Sequence, residues 1–301
     1  MPTTLDATSH PGQDDLAQRA AGVAQRALHS GALQPIATHL HHVTQAGVRF
    51  VVRRLAGAAG QSAAASRLAR ATAGGDHAAN PFLPHEPALF VADLSPTHLC
   101  LLNKFPVVDR HLLVVTRAFA PQEEVLDVAD FAALLACMRQ IDGLAFYNAG
   151  KIAGASQRHK HLQLAPFPLD PAGVDAPILP VLGDVAPAGS VVRAAALPFR
   201  HALLWLPPAA DARFFAEAYR ALLAEIGVWA GDEPPRPYNW LATRRWMLAA
   251  PRTAEAVEGM AVNGLGFAGS LLVRSLEQLA WLEHYGPLSA LCAVSEPAGR
   301  V

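Results

Sequence analysis

Residues 150–164 constrain the fold more than any other part of the chain. Small residues form a loop over Gly150-Lys-Ile-Ala-Gly-Ala-Ser-Gln157, and an alternating segment follows at once, Arg158-His-Lys-His-Leu-Gln-Leu164. On an extended strand successive side chains point to opposite faces, so neighbours on one face are about 6.6–7 Å apart. A strand over 158–164 therefore places His159, His161 and Gln163 on one face and Lys160, Leu162 and Leu164 on the other.

The composition excludes several classes of protein. The 301 residues allow about two domains or one large one. With 25 acidic and 24 basic residues, the net charge of −1 gives no electrostatic reason to expect nucleic acid or an anionic membrane as the main partner. Mean hydropathy is +0.21, yet Arg, His, Asp or Pro interrupts every apolar run before about 18 residues.

The cysteines and the N-terminus point to a cytoplasmic protein. Cys100, Cys137 and Cys292 are far apart and form no Cys-x-x-Cys pair, which favours neither a disulfide framework nor a cysteine zinc site. The N-terminus has no basic segment followed by an apolar one, so no signal peptide is predicted.

Hydrophobic periodicity predicts a mixture of helices and strands. Helices are predicted over 12–30, 123–141, 212–228 and 270–283, and strands over 49–54, 99–102, 111–116, 144–147, 158–164 and 238–251. A stretch rich in Pro, Gly and Ala over 166–198 is the predicted boundary region, which divides the chain into 1–184 and 185–301. The Gly/Ala/Ser-rich segment 56–79, with Arg67 and Arg70, is either a linker or a basic lid over a polyphosphate.

The loop and the strand together predict chemistry at phosphorus. Backbone N–H groups of a loop of small residues can approach an anion closely. The chain has only three lysines, Lys104, Lys151 and Lys160, and all lie within or before this segment. A neutral imidazole beside such a loop is a good nucleophile near pH 7. His159 is placed to fix the tautomer of that imidazole, and Gln163 to donate to the phosphoryl oxygens.

Two other interpretations of this pattern stay open. His-x-His on a strand is also a metal-ligand spacing, although Gln163 is a poor zinc ligand and no Cys or carboxylate is near in sequence. The histidines could also be ordinary structural residues. Lys160, on the opposite face, is predicted to form a salt bridge or to have a role at the strand edge rather than to take part in catalysis.

The segment Gly154-Ala-Ser-Gln-Arg-His-Lys-His-Leu-Gln163 resembles the active-site motif of the diadenosine tetraphosphate (Ap4A) phosphorylases, also called ATP adenylyltransferases. These belong to the histidine-triad (HIT) superfamily, in the branch near galactose-1-phosphate uridylyltransferase with a His-x-His-x-Gln motif. The resemblance covers roughly residues 40–300. Other similar segments are Asn80-Pro-Phe-Leu-Pro84, Leu101-Leu-Asn-Lys-Phe105, 111–116, Asn148-Ala-Gly150, 239–252 and 263–269.

The resemblance implies a fold, a reaction and a set of residues. The fold is α+β and HIT-like, with a central, mostly antiparallel sheet and flanking helices, and the C-terminal region completes the nucleotide site. His161 would attack the α-phosphorus of Ap4A and release ATP, and phosphate would then take the AMP to give ADP. The catalytic residues would be His161, His159 and Gln163. The nucleotide contacts would be Asn103, Lys104, Asn148, Gly154, Ala155, Ser156, Gln157, Gln163, Asn263, Ser270 and Arg274.

Some positions depart from the family pattern. Ser270 stands where Met is expected, and Arg274 where Lys is usual. Arg keeps the charge of Lys but changes its reach and geometry. The lysine expected nearer the N-terminus has no lysine counterpart, and Arg53, Arg54 or Arg67 takes its place. Lys151 and Arg54 are the further predicted phosphate contacts.

The expected ligands are small molecules: Ap4A, ATP, ADP and phosphate. No tightly bound cofactor and no protein metal site is predicted, and Mg²⁺ or another divalent cation is expected with the polyphosphate. Neither nucleic acid nor membrane is an expected partner, and the protein is expected to be a monomer or small homo-oligomer. The alternatives are another nucleotidyltransferase or phosphorylase of the same branch, a non-catalytic nucleotide sensor, and a metal-dependent β-protein.

Overall fold

The computed structural model describes residues 16–57, 80–231 and 233–298. Most of the 56–79 segment, including Arg67 and Arg70, lies outside the described residues, as do residues 12–15 of the first predicted helix. The helices are α1 Leu16–Ser30, α2 Val128–Met138, α3 Ala212–Glu225, α4 Gly264–Phe267, α5 Leu276–Tyr285 and α6 Pro287–Ala293. The strands are β1 Thr38–Gln45, β2 Val48–Leu55, β3 Phe90–Asp93, β4 His98–Leu102, β5 Leu112–Thr116, β6 Gly143–Asn148, β7 His161–Pro166, β8 Val191–Val192, β9 Ala202–Trp205, β10 Tyr238–Ala242, β11 Trp246–Pro251, β12 Ala256–Val257, β13 Met260–Ala261 and β14 Ser270–Val273.

A nine-stranded sheet forms the centre of the molecule, in the order β3-β4-β5-β7-β6-β10-β11-β9-β8. Every neighbouring pair in it is antiparallel. The predicted α+β class with a central, mostly antiparallel sheet and flanking helices is confirmed. The division at residue 184 stays a prediction, and the sheet crosses it, because β10 pairs directly with β6.

Alternation along the strands supplies two separate hydrophobic cores. On β6, Tyr147 packs on one face of the sheet with α1, α2 and α3, whereas Phe146 packs on the other. On β10, Trp240 and Leu241 divide in the same way. A continuous run of apolar residues is what a strand covered on both faces requires. Trp246 and Met247 of β11 are both buried as well.

A second, three-stranded sheet covers the face that carries Phe146. Its order is β1-β2-β14, and β14 runs parallel to β2. The predicted helix over 270–283 is therefore wrong in its first part. Ser270–Val273 is a short apolar segment, and such segments fit a buried strand as well as a helix. The helix begins only after Ser275, whose hydroxyl accepts a hydrogen bond from the backbone N–H of Gln278.

Three other predicted boundaries need correction. The predicted strand over 238–251 is a hairpin, which turns where Thr243 Oγ1 accepts from the backbone N–H groups of Arg245 and Trp246. The helix predicted over 123–141 begins at Val128, because Asp127 and Asp130 form a reciprocal capping box there. The strand predicted from Arg158 begins at His161, although His159 forms an isolated bridge with Pro121.

Among the helices of the described residues, none has the length and apolar character needed to cross a membrane.

Candidate active site

A polar residue interrupts an apolar row across the central sheet. Directly opposed residues of antiparallel strands lie on the same face. The row runs through Leu101, Leu113, Gln163, Phe146 and Leu241. Gln163 is 9% exposed and lies between two apolar clusters, one from β4 and β5 and the other from β6 and β10. Gln163 is therefore the one polar side chain among these five residues.

The neighbouring row contains His161. It runs from Leu99 through Val115 to His161. On the neighbouring strands β6 and β10, Asn148 lies opposite Asn239. His161 and Gln163 thus share one face, as the alternation predicted. Leu162 and Leu164 pack into the core on the other face.

Lys160 lies on the other side of the sheet from the histidine. Its ammonium group is 2.7 Å from Asp130 Oδ2 and donates to the carbonyl of Val125 at 3.1 Å. His98 Nε2 is 2.9 Å from the other carboxylate oxygen of Asp130. Burial alone would raise the pKa of Asp130, but the hydrogen bond from His98 and the charge of Lys160 lower it overall. The predicted salt bridge of Lys160 is confirmed.

The His161 ring is held in one tautomer. Its Nδ1 lies 2.8 Å from the carbonyl oxygen of His159. Because a carbonyl only accepts, the proton is on Nδ1 and Nε2 carries the lone pair. Burial lowers the pKa of His161 to about 4, so the imidazole is neutral at pH 7 with a nucleophilic nitrogen.

His159 performs the predicted task with its backbone rather than with its ring. The ring Nε2 donates to the carbonyl of Thr116 at 2.8 Å, and Nδ1 accepts from Asn80 Nδ2 at 2.9 Å. Burial lowers the pKa of His159 as well. The ring of His159 thus bonds to Thr116 and Asn80, and its role as a catalytic residue stays a prediction.

The same contacts bear on the metal interpretation of His-x-His. Both ring nitrogens of His159 have protein partners, so the two rings do not present a pair of open nitrogens. Across the described parts of the chain, no group of three or more His, Cys, Asp or Glu side chains is placed to hold a metal ion. The Phe82 ring packs against both imidazoles, with centroids 5.5 Å from His159 and 5.4 Å from His161.

The predicted phosphate loop leaves β6 after Asn148 and returns to the sheet at His159. Its turns use Gly150 and Gly154, with φ of +85° and +90°, a region that side chains other than glycine rarely adopt. A Cβ on Gly154 would lie 2.7 Å from the carbonyl oxygen of Val262 and 2.9 Å from Asn263 Cβ. Gly154 therefore allows the loop to pack directly against the C-terminal region.

We expect Gly154→Ala to lower the free energy of unfolding by about 3 kcal/mol, from left-handed strain together with steric overlap. Gly183 is the matched control, because its φ is +87° and an added Cβ would meet nothing within 4 Å. Gly183→Ala should cost only the strain, about 1–2 kcal/mol. Urea denaturation measures both, and equal losses would contradict the packing argument.

A cavity of about 180 Å³ lies beside this loop. Gly154, Ala155 and Ser156 form part of its wall. The predicted C-terminal contacts Asn263, Ser270 and Arg274 also line it, so the fold brings together residues that are more than 100 positions apart in the chain. His161 and Gln163 are not among the lining residues, and the loop connects their sheet face to the cavity.

Arg53, rather than Arg54, faces the cavity. Its guanidinium donates to Ser270 Oγ at 2.8 Å and to the carbonyl of Leu169 at 2.7 Å. Burial lowers the pKa of Arg53. Arg54 follows it on β2 and points to the opposite face, where Nη1 is 3.4 Å from the carbonyl of Leu55. Arg54 does not line this cavity, and its role as a phosphate contact stays a prediction.

A buried network holds the loop against the C-terminal region. Asn148 Oδ1 accepts from Asn239 Nδ2 at 2.8 Å and from the backbone N–H of Gly264 at 2.9 Å. Arg252 donates to Asn239 Oδ1 at 2.6 Å and to the carbonyls of Ala153 and Val262 at 3.2 and 2.9 Å. Burial lowers the pKa of Arg252 to about 9. The carboxamide oxygen of Asn148 is therefore used within the protein.

The other predicted contacts lie nearer the surface or bond to residues outside the predicted set. Asn103 Nδ2 is 3.2 Å from His111 Nδ1, one row beyond Gln163 on the same face. Lys104 is paired with Glu86 at 2.8 Å. Lys151 is exposed and Gln157 is half-buried. Asn263 caps α4, since its side chain accepts from the backbone N–H of Leu265, and it lines the cavity as well.

Two family models match the sequence. That for the Ap4A phosphorylase N-terminal domain matches residues 6–184, and that for the ATP adenylyltransferase C-terminal domain matches residues 195–297. The chain belongs to the Ap4A phosphorylase family. The family predicted from the motifs is confirmed.

Relatives in Saccharomyces cerevisiae are similar over much of their length. Diadenosine tetraphosphate phosphorylase 2 is 28% identical over 231 residues, which cover 67% of this chain and 71% of that protein. Protein APA1 is 26% identical over 197 residues, covering 59% and 61%. The fold matches the crystal structure of yeast Ap4A phosphorylase Apa2 in complex with AMP, with a TM-score of 0.79, 23% identity and coverage of 96% and 99%. The complex of Apa2 with Ap4A matches with a TM-score of 0.77 and 22% identity, over 96% and 99% of the two chains.

Several residues that shape the site were not found from the sequence. Gln122 bonds to the backbone of His161 across 39 positions, and no local pattern identifies such a residue. Thr116 holds His159 across 43 positions. Arg252 lies in a segment similar to the family, but nothing in that segment indicates that its side chain reaches Ala153. These partners depend on strand register, which the sequence alone does not give.

Proposed function

We propose that this chain catalyses the reversible phosphorolysis of Ap4A to ADP and ATP through an adenylyl-histidine on His161. The observation that carries the proposal is the hydrogen bond from His161 Nδ1 to the His159 carbonyl, at 2.8 Å. It leaves Nε2 as a neutral nucleophile directed to the same face as Gln163. Membership of the Ap4A phosphorylase family supports the choice of substrate.

In the first step, the Nε2 lone pair of His161 forms a bond to the α-phosphorus of Ap4A. The bond from that phosphorus to the bridging oxygen breaks, and its electron pair leaves with ATP. The ring then carries a positive charge, which the His159 carbonyl stabilises through the Nδ1 proton. In the second step, an oxygen of inorganic phosphate attacks the same phosphorus, the N–P bond breaks and ADP is released.

Gln163 and the glycine loop would bind the phosphoryl oxygens. Gln163 lies one row from His161, and its N–H groups are suited to the non-bridging oxygens on which negative charge develops. Ser156 in the cavity wall would supply a further donor, because the N–H groups of Gly154 and Ala155 already donate to the carbonyls of Lys151 and Gly150. Arg53 and Arg274 line the adjoining cavity and offer positive charge to a polyphosphate. Asn103, Lys104 and Lys151 are proposed as outer contacts.

A divalent cation such as Mg²⁺ is proposed to enter with the substrate, bound to the polyphosphate. Phosphate oxygens are hard ligands that suit Mg²⁺, and the ion offsets their charge. Arg53 and Arg274 would then bind the phosphate oxygens that the cation does not neutralise.

Incubation with Ap4A, with and without phosphate, tests the proposed function. We expect ADP plus ATP only when phosphate is present, and a protein-bound AMP that is labile to acid and stable to base when it is absent. Two ADP, or AMP plus ATP, would indicate a hydrolase instead. Tight Ap4A binding with neither product nor adduct would indicate a nucleotide sensor.

We expect His161 to titrate near pH 4 rather than near 6.5, because burial favours its neutral form. Between these values the unfolded chain binds a proton that the folded chain excludes, so stability rises with pH across this window and falls as acid is added. The contribution lost is roughly 3 kcal/mol. Histidine NMR of ¹³C-labelled protein measures the pKa directly. A His161 titration at or above 6.5 would contradict the burial argument.

A further inference from the structure

We propose that Gln122 is a positioning residue, which fixes the nucleophile His161 at a set distance from Asn148 and the phosphate loop. The inference rests on the proposed function. It begins from an interruption in the central sheet. β6 and β7 pair regularly from Gly143↔Pro166 to Phe146↔Gln163. Continued by two residues, the same register would set Asn148 opposite His161.

The Gln122 side chain takes the place of that continued ladder. Its Oε1 accepts from the backbone N–H of His161 at 2.9 Å. Its Nε2 donates to the carbonyl of His161 at 3.1 Å and to the carbonyl of Asn148 at 3.0 Å. The carboxamide therefore bridges the two strands where their backbones no longer pair.

Only a carboxamide satisfies all three groups at once. The site presents one N–H donor and two carbonyl acceptors, and a carboxamide offers one acceptor oxygen and two N–H donors. Gln122 is fully buried, so water does not replace these bonds. An unpaired polar group in such a place is costly, which makes the arrangement rigid.

The backbone of Gln122 is itself fixed. Its N–H donates to the carbonyl of Arg158 at 2.8 Å, and its carbonyl accepts from the Tyr147 hydroxyl at 2.6 Å. The neighbouring Ala120 carbonyl accepts from the N–H of Lys160 at 2.8 Å. Residues 120–122 thus form a rigid support along the segment that leads into His161.

This geometry predicts that Gln122 affects the rate of His161 adenylylation and not the affinity for Ap4A. His161 Nε2 must approach the α-phosphorus while the loop that follows Asn148 holds the phosphates. Gln122 sets the spacing between the two because it bonds to the backbone of His161 and to the backbone of Asn148. Displacement of reacting groups by about 1 Å costs on the order of 10²-fold in rate.

Two substitutions by side chains of similar length to glutamine test the proposal. Gln122→Met removes all three hydrogen bonds, and we expect the single-turnover rate of His161 adenylylation to fall about 100-fold at every pH. The dissociation constant for Ap4A, measured with unreacted enzyme, should change less than about threefold. The adenylylation rate of Gln122→Glu should depend on the charge of the new side chain. Only the protonated acid can accept from the N–H of His161 and also donate to a carbonyl, whereas the ionised form would face two carbonyl oxygens.

The Gln122→Glu rate, divided by the wild-type rate at the same pH, should therefore rise at least tenfold as the pH falls from about 8 to about 5.5, since burial favours the neutral acid. Gln45 is the matched control, a glutamine whose Oε1 accepts from the backbone N–H of Leu288 at 2.7 Å, away from the site. Gln45→Glu should give a flat ratio. If Gln122→Met does not fold, the pH dependence of the ratio of the Gln122→Glu rate to the wild-type rate tests the proposal by itself.

A flat ratio for Gln122→Glu overturns the proposal, as does a Gln122→Met rate within about threefold of wild type. These outcomes are distinct from failure of the proposed function, which would appear as wild-type protein that forms no adduct and no ADP. A fall in Ap4A affinity as large as the fall in rate would assign Gln122 a general structural role and would also overturn the proposal.

Discussion

His161→Ala is expected to abolish the AMP adduct and to lower kcat/KM for Ap4A phosphorolysis by roughly 10⁴-fold or more, as for loss of a covalent nucleophile in other enzymes. The reason is geometric, because Nε2 of His161 carries the lone pair on the face shared with Gln163. Alanine offers no atom that can bond to phosphorus. Initial rates of ADP formation, together with trapping of labelled AMP on the protein, measure the effect.

His201 provides a control with the same local geometry. Its Nδ1 is 2.8 Å from the carbonyl of Phe199, two residues earlier, as in His161, and burial lowers its pKa too. Its Nε2, however, accepts from the backbone N–H of Ala194 at 2.8 Å and is not available. His201→Ala should lower stability and leave the adduct intact. Comparable loss of the adduct in both variants, or an adduct in His161→Ala, would contradict the assignment.

Arg252→Met is expected to lower the free energy of unfolding by about 4 kcal/mol, as for removal of one partner from a buried charged network. Arg252 is 4% exposed, and its loss would leave Asn239 Oδ1 and several carbonyls without a donor. Because its bonds to Ala153 and Val262 join the phosphate loop to the C-terminal region, nucleotide affinity should fall as well. Urea denaturation and Ap4A binding measure the two effects.

Arg193 is the matched control for Arg252. It pairs with Glu225 at 2.9 Å, but both side chains are more than 40% exposed. Exposed pairs contribute little, so Arg193→Met should change stability by less than about 1 kcal/mol. Losses of similar size in the two variants would show that the buried network of Arg252 does not stabilise the fold.

The sequence predicts the chemistry of the site better than its framework. Alternation alone placed His161 and Gln163 on one face and Lys160 on the other, because a strand has a fixed period of two. The small residues over 150–157 likewise indicated a loop between two strands. These inferences need only a few consecutive residues.

The remaining features depend on contacts between distant segments. Ser270–Val273 becomes a strand because β2 offers it a parallel edge, and nothing within four apolar residues distinguishes that outcome from a helix. The turn between β10 and β11 contains neither glycine nor proline and relies on the Thr243 hydroxyl. The roles of Gln122 and Arg53 can be assigned only once the strand register and the direction of each side chain are known.

The pairing of β6 with β10 also affects what happens if the chain is divided. A fragment that ended at residue 184 would carry β6 as an outer strand, with the N–H and C=O groups that meet residues 239–242 turned to solvent. Open edges of this kind attract other strands. Such a fragment would expose the apolar surface that β10 and β11 cover, so it would tend to self-associate unless residues 185–301 were supplied in trans. We therefore expect the regions matched by the two family models to need each other for folding.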